Sequence, residues 1–175
     1  MLPAMRCGLL LAAATLACSH QSWQELRPVD GRFRVELPGT AVERIQKTIT
    51  LPTTTDSHVF LVERGARGSF QVAYYELTLE LDPATWERTA KLDCTSPYAG
   101  GTFEITAQQP RRLGTAVGFD VTGEAPKSET LPDGGFEEDR CFIAARRMFH
   151  VMAIGPNTAD ERRDVARFMD SFQIL

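Results

Sequence analysis

The chain has 175 residues, 43% of them apolar and 24% charged, with a formal net charge of −4. That balance belongs to a globular protein and excludes an intrinsically disordered one. No run of Lys or Arg is longer than a pair (Arg111-Arg112, Arg146-Arg147, Arg162-Arg163). A polyanion site needs several aligned cations, so nucleic acid is not expected as a partner.

At the N-terminus, Arg6 precedes an apolar run from Gly8 to Leu16 that ends in Ala17 and Cys18. A positive residue, an apolar core of this length and a small-residue end make a secretory leader over residues 1–17. It is too short to span a bilayer, which takes about 20 helical residues. Leu16-Ala17-Cys18-Ser19 resembles a bacterial lipobox, with Thr15 where a branched apolar residue is usual. Cys18 is therefore expected to carry lipid after cleavage. That would place the protein in a bacterial cell envelope, membrane-anchored, and facing the periplasm if the cell is Gram-negative. Cleavage to a soluble secreted protein is the alternative. Of the four cysteines, Cys7 leaves with the leader, and Cys94 and Cys141 remain as an even pair in an oxidising compartment. A disulfide between them would close a loop of about 46 residues, worth about 4 kcal/mol in the chain-entropy model. Two buried free thiols are the alternative.

Residues 18–30 read as a mostly polar tether carrying Trp23, and residues 31–175 as one domain. Period-two alternation begins at once: Phe33, Val35 and Leu37 against Arg32, Arg34 and Glu36, ended by Pro38-Gly39. Ile45, Ile49 and Leu51 repeat it, then Val59 to Val62, closed by a hairpin turn over Arg64 to Gly68. Phe70 to Leu81 is a long strand, with Val72 and Tyr74 on one face and Ala73, Tyr75, Leu77 and Leu79 on the other. Consecutive strands on short turns imply an antiparallel meander.

The period then changes. Asp82-Pro83 starts a helix, with Asp as N-cap and Pro where a missing N–H costs nothing. Trp86 and Ala90 face the sheet, the helix ends near Cys94, and residues 95–101 are loop. Strands resume at Phe103 to Ile105 and Val117 to Val121. A turn-rich stretch, 126–135, leads to a hairpin of Arg140 to Ala145 and Met148 to Ile154. Thr158 and Glu161 fit a capping box, with Glu161 reaching back to the cap. Val165, Phe168, Met169 and Phe172 follow as one apolar helical stripe.

With the strand Gly31-Arg32-Phe33-Arg34-Val35-Glu36-Leu37-Pro38-Gly39, the helix after Asp82-Pro83 and the closing Arg167-Phe168-Met169-Asp170-Ser171-Phe172, the chain resembles the PsbP-like family. The likeness runs from Gly31 to Leu175. That family includes an extrinsic photosystem II subunit, a eukaryotic Ran-binding import factor and small bacterial lipoproteins. The resemblance implies an α+β fold, an antiparallel sheet flanked by helices in an α/β/α sandwich. It also implies a non-enzymatic binding or assembly role. Its motifs mark the fold, so no functional residue carries over from it.

Chemical signatures are sparse. His20 lies in the tether, His58 begins a strand and His150 alternates with Met148 and Met152; none has metal-ligand spacing. His150 reads as a strand residue with a satisfied hydrogen bond. Glu137-Glu138-Asp139 lacks the alternation of an EF-hand and reads as a solvated, charged strand edge. There is no nucleophile elbow and no phosphate-cradling glycine loop before a helix. A glycosidase carboxylate pair is defined by its separation in space, which sequence does not show. No cofactor, metal or catalytic residue is expected. Tyr98, in a Pro/Gly-bearing loop, and the Arg111-Arg112 pair are the candidate partner contacts. The leading expectation is a lipid-anchored envelope factor that docks an envelope protein. The alternative is a small-ligand binder with a pocket between sheet and helix, and an enzyme is a distant third.

Overall fold

The computed structural model describes residues 22–50, 53–78, 82–99, 101–129 and 131–175. The leader, Cys18, His20, Leu51, Leu79 and Leu81 lie outside them. Among the described residues, ten strands and two α-helices follow in chain order: β1 (Gln24–Leu26), β2 (Phe33–Leu37), β3 (Val42–Thr50), β4 (Thr53–Glu63), β5 (Ser69–Glu76), α1 (Pro83–Thr95), β6 (Glu104–Leu113), β7 (Ala116–Ala125), β8 (Gly135–Ala144), β9 (Arg147–Pro156), α2 (Ala159–Ser171) and β10 (Gln173–Ile174). Strands β3-β4-β5-β9-β8-β7-β6 form one seven-stranded sheet, and β1-β2-β10 a small second one. Neighbouring strands of the large sheet are antiparallel throughout. Among the described residues, no helix is long and apolar enough to cross a membrane.

The strand alternation sorts side chains into two cores. On one face, Phe60, Phe70, Val72, Phe136, Phe142, Phe149 and Val151 meet Val165, Phe168 and Met169 of α2, Phe172 just after it, and the inward residues Phe33, Val35 and Leu37 of β2. Phe172 lies 5.6 Å from Phe33 and 5.8 Å from both Phe142 and Phe149, ring centre to ring centre. Each such buried Phe contributes about 1.5–3 kcal/mol by removal from water. On the other face, Phe119, Val121, Cys141, Ile143 and Met148 are covered by Ala90 and Cys94 of α1. That helix packs over β7 and β8 and reaches β9.

Local chemistry sets the helix starts. Asp82 accepts from the Thr85 N–H at 3.0 Å with Pro83 behind it, and Thr158 accepts from the Glu161 N–H at 3.3 Å. Glu161 does not reach back to the cap as the capping box predicts. Its buried carboxylate meets Arg64 at 2.6 Å and Arg67 at 3.3 Å, because a charge sealed under α2 needs a cation more than an exposed cap needs an acceptor.

Three further expectations are corrected. The tether is partly folded: β1 pairs with β2, and Trp23 packs 6.4 Å from Phe70 beneath the Arg167 guanidinium. β5 ends at Glu76, short of Leu81. Glu137-Glu138-Asp139 is no solvated edge, since β8 runs between β7 and β9 and Glu137 and Asp139 are buried, the latter 1% exposed.

Candidate functional site

That last correction locates the most unusual chemistry in the molecule. Period-two alternation puts Glu137, Asp139, Cys141 and Ile143 of β8 on the face under α1, and the register sets Cys141 directly opposite His150 of β9. The His150 ring donates from Nε2 to Asp139 Oδ1 at 2.5 Å. The other oxygen of Asp139 accepts from the Tyr98 hydroxyl at 2.6 Å. On the far side of the imidazole, Nδ1 lies 3.7 Å from Asp93 of α1, which accepts from the Tyr75 hydroxyl at 2.9 Å. A chain Tyr98–Asp139–His150–Asp93–Tyr75 thus runs beneath the helix. Beside it, Cys94 and Cys141 form a disulfide with Cα atoms 5.6 Å apart, tying α1 to β8.

The electrostatics follow from burial. Burial alone would lower the His150 pKa, but the hydrogen bond and charge of Asp139, with Asp93 and Glu137 nearby, outweigh it and raise the pKa. Glu137 is pushed up to about 7, first by burial and then by the negative Asp139, against the pull of His150. Burial, then the adjacent carboxylates, raise both Tyr75 and Tyr98, keeping them as neutral donors. The arrangement can hold a proton between His150 and two carboxylates. Both Asp139 oxygens and one Asp93 oxygen are occupied by its own donors, while the other Asp93 oxygen is buried without a hydrogen bond; this suits fixing α1 better than reaching a substrate.

Asp93, Cys141 and His150 place potential metal-ligand atoms within 4.8 Å of one another. The sulfur of Cys141 is bonded to Cys94 and offers no thiolate, so this trio does not fit a metal while the bridge stands.

The sequence-derived candidates are scattered. The Cys94–Cys141 bridge expected from the cysteine count is present. Tyr98 is not an exposed loop aromatic: it closes a single turn of 3-10 helix after α1 and is 8% exposed, its ring against Gly123. Arg111 pairs with Asp120 at 2.8 Å on the α2 face of the sheet. Arg112 is exposed on the α1 face opposite Val117, six residues along β7 from Gly123, or roughly 20 Å. The three therefore make no single patch. His58 bonds Glu43 at 2.9 Å and stacks on Tyr74, a local pairing. Cys18 lies outside the described residues. Missed were Tyr75, Asp93, Glu137 and Asp139. Parity was the available signal for the last two, since they share a strand face with Cys141 and Ile143.

At the surface, a groove of about 510 Å³ runs between α1 and strands β6 and β7. A smaller hollow of about 290 Å³ lies at the rim where Arg32 meets the β8–β9 turn.

No protein-family model matches this sequence, and no curated protein matches it. In structure, the chain is similar to the solution structure of cyanobacterial PsbP (CyanoP) from Synechocystis sp., with a TM-score of 0.58 and 9% identity over 98% of either chain. It is also similar to the Ran-binding protein Mog1p of Saccharomyces cerevisiae, with a TM-score of 0.47 and 13% identity over 88% of this chain and 96% of that one. The first likeness establishes the fold: α+β, an antiparallel seven-stranded sheet with two helices packed on it, PsbP-like.

Proposed function

We propose that this protein is a lipid-anchored binding or assembly module of the bacterial cell envelope, held to the membrane through Cys18 and docking another envelope protein. One observation carries the reading. The titratable groups best placed for chemistry lie under α1, away from the surface groove: His150 and Asp139 are hydrogen-bonded to each other, and Glu137 is buried beside them. The secretory leader, the lipobox-like Leu16-Ala17-Cys18-Ser19 and the Cys94–Cys141 bridge support the compartment, because structural disulfides persist in oxidising spaces. The two cores are filled by interlocking aromatic and aliphatic side chains, which favours a protein partner over a ligand enclosed between sheet and helix.

The reading is tested by removing titratable side chains singly. A catalytic site loses orders of magnitude when its acid or base goes, whereas an interface spreads its dependence over a cluster. His58→Gln and His150→Gln, each first shown to be folded and bridged, should complement a deletion strain as the wild type does. Failure of either folded variant, together with substrate turnover by the pure wild type that the same change abolishes, would mark an enzyme instead.

A further inference from the structure

We infer that the groove between α1 and β6 is the docking site for an extended, acidic segment of the partner protein; the inference rests on the binding-module reading and names where that module binds. α1 covers β7 and β8 but leaves the near face of β6 open, with Ile105, Gln108, Pro110 and Arg112 all exposed along it. The outer face of α1 makes one wall and β6 the other. Glu87, Arg88 and Lys91 face Gln108 and Pro110 across the groove, with the Phe119 ring at its floor. A second hollow of about 260 Å³ continues from Glu87 and Pro110 to Arg112.

Charge selects the occupant. The chain is net acidic, and most described cations are neutralised locally, as in Arg44–Glu63, Lys47–Asp56, Arg162–Glu124 and Arg167–Glu36. Arg88 and Arg112 have no ion-pair partner among the described residues, and Lys91 only lies over the Phe119 ring at 5.3 Å. Three exposed cations therefore line the groove against one carboxylate, Glu87. A partner carboxylate would meet guanidinium groups already free to form paired hydrogen bonds.

Shape selects its conformation. From Gln108 to Arg112 the ledge runs about 13 Å, the reach of four or so extended residues. Backbone pairing to the outer edge of β6 is disfavoured by the bulge at Thr106 and by Pro110. The occupant is therefore held through its side chains. Three cations fall short of the polybasic clusters that draw a protein onto anionic lipid.

The test uses the full-length protein in detergent and a labelled peptide of about eight residues alternating Glu with Thr, with a Lys-for-Glu counterpart as control. Fluorescence anisotropy should show the acidic peptide binding, more weakly as salt rises, and the control not binding. Arg88→Glu combined with Arg112→Glu should weaken binding about tenfold or more, while Arg163→Glu on the exposed side of α2 leaves it unchanged. Equal binding of both peptides, or equal loss in all variants, overturns the inference. So does a double variant that instead loses anionic phosphatidylglycerol vesicles, or one that dissociates a dimer of this chain in sedimentation. If an amine-reactive crosslinker applied to intact cells joins the double variant to the same protein as the wild type, the partner docks elsewhere and the proposed function stands. A wild type without any adduct removes that function, whatever the peptide does.

Discussion

Stability should fall as pH rises through neutrality, because the groups buried under α1 hold protons more tightly folded than unfolded. Glu137 has its pKa raised from 4.5 to about 7, so the folded state favours its neutral form. That advantage is present in full below 4.5 and is lost as the pH climbs through about 7. A shift of this size corresponds to at most roughly 3 kcal/mol. His150, raised above 6.5, contributes in full below 6.5 and loses its contribution as the pH passes its folded value. Glu138, raised chiefly by burial, acts in the same direction. Urea denaturation at about pH 5 and about pH 8 should therefore give the larger unfolding free energy at the lower pH. Glu137→Gln keeps the shape and removes the ionisation. It should match the wild type near pH 5, exceed it near pH 8, and flatten the slope between them. A wild-type stability that rises over this interval, or a Gln variant with an unchanged slope, would refute the argument.

Replacing both Cys94 and Cys141 by Ala opens a bridge between residues 47 apart; the chain-entropy model sets the loss at about 4 kcal/mol, read by denaturation without reductant, and protection of both sulfurs from alkylation checks the bond itself. Gly123→Ala places a methyl 2.3 Å from the Tyr98 ring, forcing that ring off Asp139 at a cost of about 1–3 kcal/mol, measurable as a lower Tm and a changed near-ultraviolet tyrosine signal. Arg64→Ala removes the shorter of two cation contacts to the buried Glu161 carboxylate, whose side chain is 2% exposed, and leaves only Arg67 at 3.3 Å; it should cost about 1.5–3 kcal/mol. Arg163→Ala, breaking the exposed pair with Asp160, should cost less than about 0.5 kcal/mol in the same assay.

What could be read in advance depended on whether a residue's neighbours along the chain were also its neighbours in space. β2, the inward face of β5 and the stripe of α2 were legible because their buried residues repeat at the period of their own element. β1 was not, since three residues with one apolar anchor, Leu26, carry no period. β6 was seen only at its start, because an edge strand exposed on both faces has no apolar side to alternate. The site was harder still. Tyr75, Asp93, Tyr98, Asp139 and His150 come from β5, α1, the turn after it, β8 and β9, and only the sheet register brings them together. The acids at Glu137 and Asp139 looked like surface because charge usually seeks water. At Asp139 a histidine and a tyrosine hydroxyl take the place of water, and burial turns Glu137 toward its neutral form.

The central claim, a lipid-anchored module that docks an envelope protein, is tested most directly inside the cell. A photo-crosslinking amino acid at Gln108, in the groove, and at Ala166, on the exposed side of α2, would be activated in intact cells and the membrane fraction recovered. The account predicts one reproducible protein adduct from Gln108, joined through an acidic peptide, absent from Ala166, and absent from the membrane fraction of a Cys18→Ala chain. No protein adduct from either position, with the wild type in the soluble fraction and free of fatty acid at Cys18, would contradict it.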